Sequence, residues 1–177
     1  AAVNYGCIGA VIGHEITHGF DAQGSKMAHK GNLKSWWTPE DRKRFEAKAR
    51  KVGKQFDTYT VADGVHVNGK LTLGENIADL GGLSIAYDAY QLALARTERV
   101  DIDGLTPEQR FFIAFAVFEQ ENVRPEFEKM HALTDPHSPG IYRINGPVSN
   151  FDEFYKAFNV TKADVLYRAP HDREMVW

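Results

Sequence analysis

The chain has a single cysteine, Cys7, in 177 residues, so no disulfide can form within it and a secreted, disulfide-stapled scaffold is excluded. That absence leaves the compartment open, because exported bacterial proteins can lack disulfides. No apolar run approaches the roughly 18 residues of a membrane span, and no basic-then-apolar stretch opens the chain as an export signal would. An excess of one charge is also missing. The 21 basic residues against 24 acidic ones leave a formal net charge of -3, which gives no basic field for nucleic acid or another polyanion. There is no internal repeat and no low-complexity linker. The 43% hydrophobic content is enough to bury the core of one domain, or of a substantial part of a larger one.

What the chain does have is the run His14-Glu15-Ile16-Thr17-His18. Two histidines four apart on a helix point the same way and can grip one zinc, and Glu15 between them is placed to take a proton from a zinc-associated water. The chain opens on Ala1-Ala2-Val3-Asn4-Tyr5, with no initiator methionine, and reaches this motif almost at once. The expectation is that residues 1–177 are the carboxy-terminal part of something longer, whose missing part buttresses the zinc helix.

The pattern from Gly9 to about Phe20 predicts a buried helix, hydrophobic nearly all round. A glycine- and lysine-rich loop, Gln23 to Ser35, leads to Trp36-Trp37, read as core. Thr38-Pro39-Glu40-Asp41 starts a second helix, with a capping hydroxyl, a first-turn proline and acids at the positive end of the dipole. Asp63-Gly64 and Asn68-Gly69 predict a loop or small hairpin. A third helix is predicted from Thr72 to about Ala95, with Gly81-Gly82 in its interior. Paired glycines there are costly, and are expected to permit close backbone packing against the zinc helix. Thr106-Pro107-Glu108-Gln109 caps a fourth helix, whose phenylalanine run is core. A short helical stretch after Pro125, a turn-rich segment from Asp135 to Gly140 and a last helix near Phe151 to Phe158 complete a mainly α chain with few short strands.

A catalytic zinc needs a third protein ligand. A third histidine six residues after His18 would fall on Gly24, so that arrangement fails. A glutamate from another helix is the remaining route, and Glu75 is the best candidate; the competing reading is an ordinary surface glutamate. With Glu75 as ligand, Asp79 one turn on shares its face and can accept the free ring N–H of a zinc histidine, fixing its tautomer.

The text around these positions resembles the neprilysin family of zinc metallopeptidases, which includes the endothelin-converting enzymes and bacterial oligopeptidases. The matching residues are Asn4-Tyr5, Val11 through Asp21, and Leu73-Gly74-Glu75-Asn76-Ile77-Ala78-Asp79. Arg124-Pro125-Glu126, His137-Ser138-Pro139-Gly140, Tyr142-Arg143 and Trp177 continue the match. The resemblance implies a thermolysin-like, gluzincin-type catalytic portion, its zinc helix packed on the helix that carries the third ligand. It implies one zinc per chain on His14, His18 and Glu75, with Glu15 and Asp79 as catalytic carboxylates and Asp21 supporting a ligand from behind. It makes His137 the donor to the oxyanion and Arg143 a binder of a substrate backbone carbonyl. The activity implied is a zinc endopeptidase hydrolysing small peptides, in the periplasm, secreted or at the cell surface, with the cytoplasm not excluded. The rival reading is a non-catalytic zinc-binding fragment that needs a partner segment.

The sequence departs from the family at a few places. Phe118 and Glu119 occupy positions where the family commonly has an aliphatic residue and a tryptophan lining a substrate pocket. A carboxylate there weakens an apolar preference if it faces the pocket and does nothing if it points away. Cysteines of the animal members are missing near Gln120 and Arg173, which leans towards a bacterial-type member. The family's upstream Asn-Ala-aromatic substrate segment and large helical access-restricting domain are not in the chain, so the missing amino-terminal segment is an expected partner. His29, His66 and His131 lack ligand spacing and are read as surface or structural, and Cys7 as a small core residue.

Overall fold

The computed structural model describes residues 1–176, so Trp177 of the resemblance lies outside the described residues. The first helical segment starts earlier than the sequence pattern suggests. Helix α1 (Ala2–Asn4) passes through a π-helical turn, Tyr5–Gly9, into α2 (Ala10–Thr17), and a tight 3-10 turn, His18–Phe20, closes it. π-helical turns recur beside functional sites. This one sits immediately before the metal-binding motif.

Helix α3 (Pro39–Phe56) begins as expected, with Thr38 Oγ1 accepting from the Asp41 N–H at 3.1 Å and proline in the first turn. Helix α4 (Leu73–Leu94) follows, then α5 (Pro107–Glu119), opened by a full capping box between Thr106 and Gln109. Helices α6 (Pro125–Thr134), α7 (Gly140–Val148) and α8 (Asp152–Phe158) complete the order. Among the described residues there is no strand, only three isolated bridges; one of them, Thr60 with His66, closes the small hairpin anticipated around Asp63-Gly64. Among the described residues no helix is long and apolar enough to cross a membrane.

Helix α7 is the element the sequence reading omits. Its local signals read as turn, since Gly140, Gly146 and Pro147 all disfavour a helix interior. Tertiary contacts override them. Gln55 of α3, fully inside, donates to the Gly146 carbonyl at 3.0 Å, and Asn150 Nδ2 donates to both Gln55 Oε1 (2.9 Å) and Gly146 O (2.8 Å). A buried amide network that satisfies every member fixes the segment more firmly than local propensity would.

The core runs between α3, α4, α5 and α8, with Val52, Phe56, Ile77, Leu80, Leu83 and Phe111 at its centre. The phenylalanine run is core at Phe111, Phe112 and Phe115, but Phe118 at its end is 47% exposed. Trp37 packs against the core, but Trp36 is 53% exposed, because only one ring of the adjacent pair can face inward. The zinc helix departs further from expectation. Ile8, Ile12 and Ile16 form a stripe at four-residue spacing, and each is 55% exposed, so this helix is buried on one face only. Cys7 is half-buried and free.

The buried face of α2 lies on α4 with almost no space between backbones. A Cβ on Gly82 would fall 2.5 Å from the His14 nitrogen and 2.6 Å from the Ala10 carbonyl oxygen, and one on Gly13 would fall 2.8 Å from the Gly82 carbonyl oxygen. The glycines therefore do what their helix-interior cost suggests. They bring the histidine helix and the Glu75 helix into backbone contact.

Candidate metal centre and active site

Helix α2 presents His14 and His18 on one face, and the first turn of α4 presents Glu75 to them. His14 Nε2 and His18 Nε2 are 3.0 Å apart, and Glu75 Oε2 lies 3.2 Å from the first and 3.5 Å from the second. Ligand atoms at about 2.0–2.2 Å from a tetrahedral zinc are about 3.3–3.6 Å from one another. The three atoms, 3.0 to 3.5 Å apart, come within about 0.3 Å of one face of such a tetrahedron. Glu75 Oε2 is buried and makes no hydrogen bond, which is costly unless a cation sits there. The residues fit the metal, and they are the one such group among the described residues.

Both imidazoles are held from behind. His14 Nδ1 meets Asp79 Oδ1 at 2.8 Å, and His18 Nδ1 meets Asp21 Oδ2 at 2.6 Å. Each bond leaves Nε2 facing Glu75, the carboxylate–histidine arrangement that fixes the tautomer of a metal ligand. Asp21 is itself fixed, accepting from the Gln23 and Gly24 N–H groups at 2.7 and 2.8 Å. A side chain at Gly24 would put its Cβ 1.7 Å from the His18 carbonyl oxygen, so no third histidine could stand at that position.

The electrostatics follow from this packing. Burial alone would lower the His14 pKa, but the hydrogen bond to Asp79 and the Glu75 carboxylate 3.2 Å away outweigh it and raise it to about 9. Burial would push the Glu75 and Asp79 carboxyls up. The adjacent His14 ring, helped by the His137 and His18 charges at Glu75 and by Arg143 at Asp79, holds both below the usual range instead.

Glu15, on the next helix position, is exposed and lines a cavity of about 200 Å³ together with His14, Asp79, His137 and Arg143. His137 Nε2 is 3.3 Å from Glu75 Oε2, so this ring reaches the same point as the ligand set. Its other nitrogen faces Asp135 Oδ1 at 2.8 Å, and the same oxygen accepts the His137 backbone N–H at 2.8 Å. The Asp135-Pro136-His137 turn is thus a device that aims the ring, a role the sequence reading gave to no residue. A second anchor was also missed. Ser138 donates to the buried Asn76 Oδ1 at 2.7 Å, and Asn76 donates to Thr72 Oγ1 at 2.9 Å, which ties the His137 loop to the first turn of α4. Asx-turn chemistry at Asp135 was legible in principle; the Asn76–Ser138 pairing spans 62 residues and was not.

Arg143 comes from α7. Its Nε and Nη2 donate to Asp79 Oδ2 and Oδ1 at 2.9 and 2.7 Å, a bidentate clasp, and Nη1 lies 3.4 Å from Glu119 Oε2. Burial would lower its pKa, but Asp79 and Glu119 raise it above the ordinary value. Two of its five N–H donors are left over by these two carboxylates. Of the four remaining histidines, His29 is exposed, His66 contacts the Asp57 carbonyl oxygen at 3.0 Å, His131 stands 3.6 Å from Asp135 and His171 stands 3.4 Å from Asp172.

Comparison with known proteins supplies the family. The model of peptidase family M13 matches residues 1–174. Neprilysin-11 of Caenorhabditis elegans is 46% identical over 158 residues, 86% of this chain and 19% of that protein. Human neprilysin is 41% identical over 181 residues, 99% of this chain and 24% of that protein. Among solved structures, the Mycobacterium tuberculosis zinc metalloprotease ZMP1 in complex with an inhibitor matches 98% of this chain and 27% of its own, at 47% identity and a TM-score of 0.94. PepO of Lactobacillus rhamnosis matches 98% of this chain and 26% of its own, at 41% identity and a TM-score of 0.85. The chain therefore spans less than a third of the length of each of these relatives. With the helical architecture and nearly the whole chain matched, it belongs to peptidase family M13.

Proposed function

We propose that this chain forms the zinc-binding part of a metalloendopeptidase that hydrolyses peptide bonds in small peptides. The observation that carries the reading is the convergence of His14 Nε2, His18 Nε2 and the unsatisfied Glu75 Oε2 beside the exposed Glu15. His14, His18 and Glu75 would hold one zinc, which when bound supplies Lewis acidity for activating water and polarising a carbonyl. Glu15 takes the proton of the attacking water and hands it to the departing amine. Its exposure keeps it in reach of both. His137, aimed by Asp135, donates to the oxygen on which charge develops, a contribution worth about 3 kcal/mol in comparable sites. Asp79 holds His14 and Arg143 at once, and the spare Arg143 donors bind a backbone carbonyl of the peptide.

A second reading has its own support. The exposed Ile8, Ile12 and Ile16 stripe, together with the small share of its relatives' length that the chain covers, fits a zinc-binding piece that acts only with an amino-terminal segment packed against it. The two readings separate in one experiment: zinc content and cleavage of a mixed internally quenched peptide library by the purified chain, with Glu15→Ala as control. Metal in both proteins and cleavage by the wild type alone supports a self-sufficient peptidase. Metal in both and cleavage by neither assigns activity to the assembly with the missing segment. A chain that binds no zinc contradicts both.

A further inference from the structure

The cavity beside the candidate metal centre is two-faced. Ala10, Val11, Phe115 and Phe118 are its apolar lining, and the Glu119 and Asp79 carboxylates line it together with His137 and Arg143. At about 200 Å³ it has room for one linear side chain next to Glu15. Glu119 is the group with no task in the chemistry above. Its side chain is only 10% exposed, and its nearest cation, Arg143, stands 3.4 Å away and is already clasped by Asp79 through two nitrogens. Arg143 cannot balance both carboxylates. Even with a dication counted at the ligand set, the carboxylates of Glu15, Glu75, Asp79 and Glu119 outnumber the cationic charges by one when the imidazoles are neutral. Burial pushes the Glu119 carboxyl up despite Arg143, and the Asp79 carboxylate adds to the rise.

We propose that Glu119 is a specificity-determining residue, and that this cavity selects a cationic side chain, lysine or its kin, on a residue flanking the scissile bond. An aliphatic stem would lie along Phe115 and Phe118 and an ammonium would reach Glu119, supplying the charge the site lacks. The proposal rests on the peptidase reading and deepens it. A merely structural role, in which Glu119 steadies Arg143, would affect all substrates alike.

The test uses the full-length polypeptide that carries residues 1–177, with peptide pairs that differ only in lysine against norleucine, scanned over the positions on both sides of the cut. The expected result is a preference for lysine on the order of tenfold in kcat/KM at one position, falling to about twofold or less in Glu119→Gln. No lysine preference, or an equal loss on both peptides in Glu119→Gln, overturns the proposal. A wild type that cleaves no peptide defeats the peptidase reading instead. Glu119 is then decided by binding of the same pairs to the zinc-loaded Glu15→Gln protein. A tenfold gap in Kd abolished by adding Glu119→Gln supports the assignment, and equal Kd values reject it.

Discussion

Replacing Gly82 by alanine sets two physical effects against each other. Helix propensity alone favours alanine in a helix interior by about 1 kcal/mol, so a loosely packed site would be stabilised. The geometry gives the opposite sign. The new Cβ would stand 2.5 Å from the His14 nitrogen, 2.6 Å from the Ala10 carbonyl oxygen and 2.9 Å from the His14 Cα, all backbone atoms that cannot rotate away. Helices α2 and α4 must then separate by about 1 Å. Overpacking of this kind costs about 1–3 kcal/mol. Three simultaneous backbone contacts place Gly82 at the upper end, for a net loss of about 2 kcal/mol. In a chain of this size that lowers Tm by roughly 4–8 °C. The same separation pulls the histidines of α2 away from Glu75 of α4, when metal geometry tolerates only about 0.2 Å. Zinc affinity should drop at least about tenfold. Calorimetry of the metal-free protein and chelator competition for zinc measure the two effects, with Gly19→Ala as control, because a Cβ there meets nothing within 4 Å. A Gly82→Ala protein with raised Tm and unchanged zinc affinity would refute the idea that backbone contact sets the ligand geometry.

Further outcomes follow from the same contacts. Glu15→Ala should keep its zinc and lose at least about a thousandfold in turnover, whereas His14→Ala should lose both, and equal zinc loss in the two would remove Glu15 from the role of base. Asp79→Asn should lower zinc affinity or activity by roughly 10- to 100-fold, measured by metal titration, with wild-type behaviour counting against its support of His14. Ser138→Ala leaves the buried Asn76 Oδ1 without its donor and should cost about 1–3 kcal/mol in denaturant unfolding. The Glu119 carboxyl is raised by burial, so the folded state binds its proton more tightly than the unfolded chain, and its ionised form disfavours folding above the folded pKa. Glu119→Gln should therefore raise Tm near pH 7, with the gain fading as pH falls through the folded value to the ordinary carboxylate range; a pH-independent gain would contradict that cause.

The sequence by itself located the candidate metal ligands and most of the helices. His14 and His18 share a face because a helix repeats every 3.6 residues, and Thr38-Pro39 and Thr106-Pro107 start helices because caps are local. Gly81-Gly82 could be read as a contact because nothing local explains two glycines in a helix interior. Four matters were decided by tertiary structure. The zinc helix exposes Ile8, Ile12 and Ile16, since apolar residues on every side do not reveal which side is covered. Helix α7 forms against its own propensity because Gln55 of α3, 91 residues away, and Asn150 just beyond its end both donate to the Gly146 carbonyl. His137 is aimed by Asp135 and anchored through Ser138 to Asn76, and Arg143 is clasped by Asp79 and shared with Glu119. The Ser138–Asn76 and Arg143–Asp79 pairings depend on directions of side chains brought together across 62 and 64 residues, where no periodicity connects them.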